Sequence, residues 1–221
     1  MILTEVFEYP FTRLDPVFGD HVDPPSVAIY ETLLTKGATG RPEPGLADSL
    51  SVSDDGLCWT LRLRDGARFH SREKCDAAAV GAALEECRWG GGFARQIWYW
   101  DPVDTVIATS DRTLDFRLHH PCPRLPVLLW GSHTAIANPA SRLVDPDGYG
   151  LTRADGTGPF ALESFSEHEV TAVRRPGAPS AAERIRWLAR PDREERRRLL
   201  EDPAVDVIRD VDADWLEPSD P

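Results

Sequence analysis

Asp54-Asp55-Gly56-Leu57-Cys58-Trp59-Thr60-Leu61-Arg62-Leu63-Arg64-Asp65-Gly66 places an apolar residue at every second position between two Asp-Gly turns. Leu57, Trp59, Leu61 and Leu63 form one face and Cys58, Thr60, Arg62 and Arg64 the other, the period-two pattern of a half-buried strand. Aspartate-glycine at both ends sets the register of a hairpin, because glycine accepts backbone angles that other residues resist. Downstream, Asp76 is placed to cap a helix running to Arg88, with Val80, Leu84 and Cys87 on one face and Gly90-Gly91-Gly92 after it. Thr105–Thr109 and Thr113–Leu118 read as a second hairpin with Leu114, Phe116 and Leu118 inward. Pro121 to Pro126 leads into a short apolar helix, Val127–Trp130. A third hairpin follows, Phe160–Phe165 and Val170–Arg174, joined through Ser166-Glu167-His168. The chain then reads strand (Ile185–Ala189), charge-laced helix (Asp192–Glu201) with Leu199 and Leu200 inward, and strand (Val205–Ile208). Upstream are a strand (Leu3–Tyr9), a Pro/Asp/Gly-rich loop (Pro10–Pro25) and a helix capped by Ser26 with Val27, Tyr30, Leu33 and Leu34 on one face. Thr39–Gly45 is turn chemistry and a candidate subdomain border. No internal repeat is visible.

The chain has 221 residues, a length for one large domain or two small ones. Hydrophobic content of 41% and charged content of 28% are those of a globular protein. A net charge of −12 argues against a nucleic-acid surface, which needs a basic stripe, and disfavours anionic lipid. Lys36 and Lys74 are the only lysines among 25 basic residues, a bias that carries no functional reading. Met1-Ile2-Leu3 runs straight into Thr4-Glu5, so the expectation is a chain without a secretion signal. No window approaches the ~18 consecutive apolar residues of a membrane span. Cys58, Cys75, Cys87 and Cys122 form no close pair; they read as free, mostly buried thiols, with one disulfide as the alternative.

Several stretches, in order, resemble the amino-terminal lobe of the family 5 extracellular solute-binding proteins, the oligopeptide, dipeptide and nickel receptors of ATP-binding cassette (ABC) importers. They are Leu14-Asp15-Pro16, Ile29-Tyr30-Glu31-Thr32-Leu33, Pro44-Gly45-Leu46-Ala47-Asp48-Ser49, the strand and turns from Asp55 to His70, the helix start Asp76–Val80, Asp111–Phe116, Gly156-Thr157-Gly158-Pro159-Phe160 and Val205–Ile208. Two local features depart from the family: Ser71-Arg72-Glu73 replaces Asp-Gly after Phe69-His70, and Pro176-Gly177-Ala178-Pro179 replaces an aromatic pair.

The resemblance implies a mixed α/β fold, a periplasmic-binding-protein-like type II lobe with an inserted hairpin-rich subdomain. Residues 1–43 and 146–221 would form the lobe core and 44–145 the insert, with the second lobe absent and weak or no ligand binding by this chain alone. It implies the substrate-binding component of an importer, non-catalytic and monomeric, taking a peptide-like or other small polar solute to a membrane permease. Such a receptor is extracytoplasmic, periplasmic or attached to the cell surface as a lipoprotein. The alternative is the ligand-sensing domain of a cytoplasmic transcription regulator. In peptide-binding relatives the segment at Gly19-Asp20-His21-Val22 meets the ligand backbone; an extended edge offers free N–H and C=O groups, and a plain surface loop is the other reading. Trp98-Tyr99-Trp100 supplies either an aromatic pocket wall or core packing. The histidines His21, His70, His119, His120, His133 and His168 match no zinc or HExxH spacing, no GxSxG occurs, and neither metal nor cofactor is expected.

Overall fold

The structure, a computed structural model, describes residues 1–18, 24–89, 100–211 and 215. The chain forms two compact units, one of residues 1–12 with 159–221 and one of residues 13–158. Both expected borders, after 43 and after 145, fall inside the second unit. Backbone pairing explains this: Pro42–Pro44 is laddered to Leu34–Lys36, and the helix beginning at Pro139 is tied to Asp15 through Arg142.

In the first unit, β1 (Ile2–Phe7) lies between β10 (Arg184–Ala189) and β11 (Val207–Ile208), parallel to both. The hairpin β8 (Phe160–Phe165) and β9 (Glu169–Arg174) extends the sheet antiparallel from β10, giving the order β11-β1-β10-β9-β8. Its core is built from alternate residues such as Val6, Val170, Ala172 and Trp187, whose indole donates to Glu5 at 2.9 Å. The expected terminal helix splits into α5 (Arg193–Arg198), capped by Asp192, and a 3-10 turn at Leu199–Glu201. Its inward residue is Arg196, 2% exposed, while Leu200 is 47% exposed. Arg196 turns in because Nη1 finds the carbonyls of Arg190 and Pro191 at 2.8 and 2.9 Å, with Glu8 alongside.

The second unit holds the antiparallel sheet β4-β5-β7-β6, formed by β4 (Ala47–Val52), β5 (Cys58–Leu63), β6 (Val103–Ser110) and β7 (Thr113–Leu118). Leu61, Leu63, Leu114, Phe116 and Leu118 are buried, as alternation requires. Gly56 and Gly66 take φ of +72° and +69° in the two turns around β5. Against this sheet packs α2 (Ala77–Trp89), whose first turn is closed by Asp76 Oδ1 accepting from Ala79 N at 3.0 Å. Cys75 and Cys87 are buried, whereas Cys58 and Cys122 are half-buried; all four are free thiols.

The first helix differs from expectation. It is α1, Pro24–Ile29, and Ser26 lies inside it instead of capping it. Proline fits at the first positions of a helix, where no N–H partner is lost. From Tyr30 the chain leaves the helix and passes through a bend at Leu33 into β2 (Leu34–Lys36), which pairs with β3 (Pro42–Pro44) around Gly40 at φ +74°. Leu33 and Leu34 are buried as expected, but from outside the helix, and Val27 is 62% exposed. The apolar helix after Cys122 begins earlier than expected, as α3 (Leu125–Leu128); α4 (Pro139–Val144) follows, capped by Asn138.

Candidate functional site

A cleft of about 640 Å³ opens within the 13–158 unit. One wall is the stretch from Ser26 to Lys36; Trp130 to Ser132, Asp15, Gly45 and Arg64 are among the other lining residues. The wall is held by four backbone bonds from three other segments of the chain. Ile29 O accepts from Gly158 N at 2.8 Å, Glu31 O from Ile136 N at 2.8 Å, Thr32 O from Leu46 N at 3.0 Å and Leu33 O from Ala47 N at 2.9 Å. Leu34 N donates to Leu129 O at 3.2 Å, linking β2 to the turn that carries Trp130. The Tyr30 hydroxyl donates to Leu14 O at 2.7 Å, and burial raises its pKa, so it stays a neutral donor.

Glu31 and Arg64 form a two-pronged ion pair across the cleft floor, with Nη1 to Oε1 at 2.7 Å and Nη2 to Oε2 at 2.6 Å. Arg64 Nη1 also donates to Gly45 O at 3.1 Å. The bond to Glu31 raises the guanidinium's pKa, keeping it charged despite partial burial. Asp15 is buried, and its Oδ1 accepts from Val17 N and from Arg142 Nη2, both at 2.9 Å. Arg142 also pairs with Glu86 of α2, whose pKa burial pushes upward. The guanidinium of Arg142 lies 5.2 Å from the Tyr149 ring centre.

Two of the quoted motifs meet beside this wall. His70 Nδ1 accepts from Gly156 N at 3.3 Å, while Nε2 lies 3.1 Å from Gly158 O, an arrangement that puts the proton on Nε2. Gly156 and Gly158 lie so close to α1 that a Cβ on either would collide with the carbonyl oxygens of Ile29 or Ala28. The Gly-Thr-Gly turn is thus a backbone-to-backbone buttress for the segment that forms the wall.

Of the residues expected at the site, Gly19, Asp20, His21, Val22, Trp98 and Tyr99 lie outside the described residues. Trp100 is 6% exposed in the hydrophobic core, among Val103, Leu125, Leu129 and His133, and does not line the cleft. His119 and His120 are exposed; burial pushes the His133 imidazole down to about 4, so it is neutral. Among the described residues no three His, Cys, Asp or Glu side chains are placed to hold a metal ion, and no helix is long and apolar enough to cross a membrane. Glu31, Lys36, Arg64 and Trp130 carry no site signal along the sequence. Glu31 and Arg64 sit in two of the quoted stretches, but nothing along the chain says that they pair across 33 positions.

The cleft is a concave surface of mixed character, with an aromatic ring, hydroxyls and one internally neutralised ion pair, suited to holding a small polar molecule. Comparison with known proteins agrees in fold. A substrate-binding protein of an ABC transporter from Sinorhizobium meliloti superposes with a TM-score of 0.80 at 26% identity, over 93% of this chain and 43% of that one. The binding protein AgaA of A. tumefacien R10, solved with agropinic acid, gives 0.83 at 23% identity, over 94% and 43%. The glutathione-binding protein GsiB of Escherichia coli O1:K1 / APEC is 27% identical over 202 residues, 86% of this chain and 38% of its own length. The chain therefore spans about two fifths of the curated relatives it matches. The family model for bacterial extracellular solute-binding proteins, family 5 Middle, matches residues 41–220, and the chain belongs to that family.

Proposed function

We propose that this chain is part of the solute-binding receptor of an ABC importer, working outside the cytoplasm as a non-catalytic monomer that passes its solute to a membrane permease. The ligand is a peptide-like or other small polar solute. The observation that carries this reading is the cleft itself. Its wall is the stretch around Tyr30-Glu31-Thr32-Leu33, fixed by backbone bonds on several sides, and preorganised walls bind with less ordering cost. The relatives that bind glutathione and agropinic acid, both small and rich in polar groups, are consistent with such a surface. Gly19-Asp20-His21-Val22 joins two stretches that both border the cleft, and it belongs to the proposed binding surface as a supplier of backbone donors and acceptors. Trp98 and Tyr99 are proposed to add aromatic contact, while Trp100 belongs to the core.

The test is equilibrium dialysis of a tripeptide library and glutathione against the purified chain, with retained compounds read by mass spectrometry. Val27 lines the cleft from an exposed position, so Val27→Trp narrows the cleft without touching the core. Solutes retained by the wild type and released by V27W support the reading; equal retention by both chains contradicts it.

A further inference from the structure

Charge in the cleft is almost entirely settled before any solute arrives. Glu31 and Arg64 neutralise each other through two hydrogen bonds. Asp15, at the edge of the cleft, has no exposed side-chain surface; its Oδ1 is engaged by Arg142 and Val17, its Oδ2 has no hydrogen-bond partner among the described residues, and its charge is countered by Arg142. Glu43, opposite Thr35 in the β2–β3 ladder, folds its carboxylate over the backbone of Gly37. One charge is left: Lys36, exposed at the end of β2, lines the cleft and has no ion-pair partner among the described residues. The contrast with Lys74 is direct, since that ammonium is 2.6 Å from Asp111. Lys36 is also anchored at its backbone, because β2 pairs with β3 and bonds through Leu34 to Leu129 beside Trp130.

We infer that Lys36 is a specificity-determining residue, meeting a carboxylate of an anionic solute while the apolar part of that solute lies towards Trp130. The inference rests on the cleft being the solute site. A flexible ammonium on a fixed strand acts as a point charge that can follow acids of different length, which a rigid guanidinium fork does less well. It selects by the acid group without defining the rest of the molecule, and it exchanges water for a charge-assisted hydrogen bond. An uncharged analogue would leave Lys36 solvated and gain nothing from it.

With only two lysines in the chain, reductive 13C-methylation gives one resonance for Lys36 and one for Lys74 beside that of the amino terminus. The probes are trialanine and succinate, each titrated against its own amide, with the Trp130 indole N–H as an independent reporter of cleft occupancy. Lys36→Gln and Trp130→Phe variants assign the signals. The expected result is that both acids shift Lys36 and Trp130 together and leave Lys74 still. The amides should shift Trp130 less, and K36Q should weaken binding of the acids about fivefold or more while leaving the amides unchanged. If Trp130 responds to acid and amide alike and K36Q binds both as wild type does, the role of Lys36 is refuted and the cleft stands. If Trp130 responds to none of the probes, the cleft reading fails and the inference falls with it.

Discussion

Glu31 is the side chain through which the wall and floor of the cleft hold each other. Its pairing with Arg64 is half-buried and two-pronged, the geometry in which an ion pair contributes more than at an open surface. Glu31→Gln leaves the guanidinium without its counter-charge, and we expect a loss of about 1–2 kcal/mol in urea unfolding. Lys74→Ala, which removes an exposed pair with Asp111, should leave the urea midpoint where it is. Glu86 gives a pH signature. Burial raises its pKa above the ordinary value of 4.5, so the folded chain holds this proton more tightly than the unfolded chain does. Stability from this group is therefore complete below about pH 4.5 and declines as pH rises through the higher folded value. The difference in unfolding free energy between wild type and Glu86→Gln should drift in favour of the variant over that interval. A difference flat with pH would show that Arg142 compensates the burial. None of these roles is visible in sequence, because Glu31 with Arg64 and Glu86 with Arg142 are brought together only by tertiary packing.

At the scale of elements, local rules read most of the molecule and fail where backbone neighbours override them. Asp76 at the start of α2 is a capping aspartate in sequence and in structure; Asp76→Ala should cost about 1 kcal/mol, read by thermal or urea unfolding. The alternation from Leu57 to Leu63 gives β5, and both later hairpins form where turn residues and alternation place them. The helix at Ser26 ends five residues sooner than its apolar spacing suggests. The carbonyls of Ile29, Glu31, Thr32 and Leu33 are claimed by Gly158, Ile136, Leu46 and Ala47, donors that lie far along the chain. Arg196 is inward and Leu200 outward for a similar reason: two carbonyls after β10 can be satisfied by a guanidinium and not by a leucine. The Gly-Thr-Gly buttress offers a sharp contrast. Gly158→Ala drives a Cβ into the Ala28 carbonyl and should destabilise by about 2 kcal/mol or more. Gly177→Ala meets nothing within 4 Å and has only its φ of +80° against it, a cost of about 1 kcal/mol. Equal effects at the two positions would contradict close backbone approach as the reason for Gly158.

For the whole molecule, the mixed α/β class and the family were legible because turn glycines, capping aspartates and alternating strands recur in a fixed order along the chain. The cleft was not, since its lining comes from separate stretches between Asp15 and Ala135 and its rigidity from hydrogen bonds that leave no mark on composition. Thiol chemistry offers a global check on the packing. Burial pushes Cys75 and Cys87 up to about 12, while Cys58 and Cys122 are half-buried. A thiol reagent at pH 8 should label two cysteines readily and two only on unfolding. The central claim, that this family 5 chain binds solute on the wall built from Ser26 to Lys36, is tested most directly by amide chemical-shift mapping of the 221-residue chain during titration with trialanine to about millimolar concentrations, where weak binding is still visible. Binding at this wall gives the largest shifts at residues 26–36, Arg64 and Trp130–Ser132. Shifts confined to other surfaces, or a folded chain whose spectrum does not move, would contradict it.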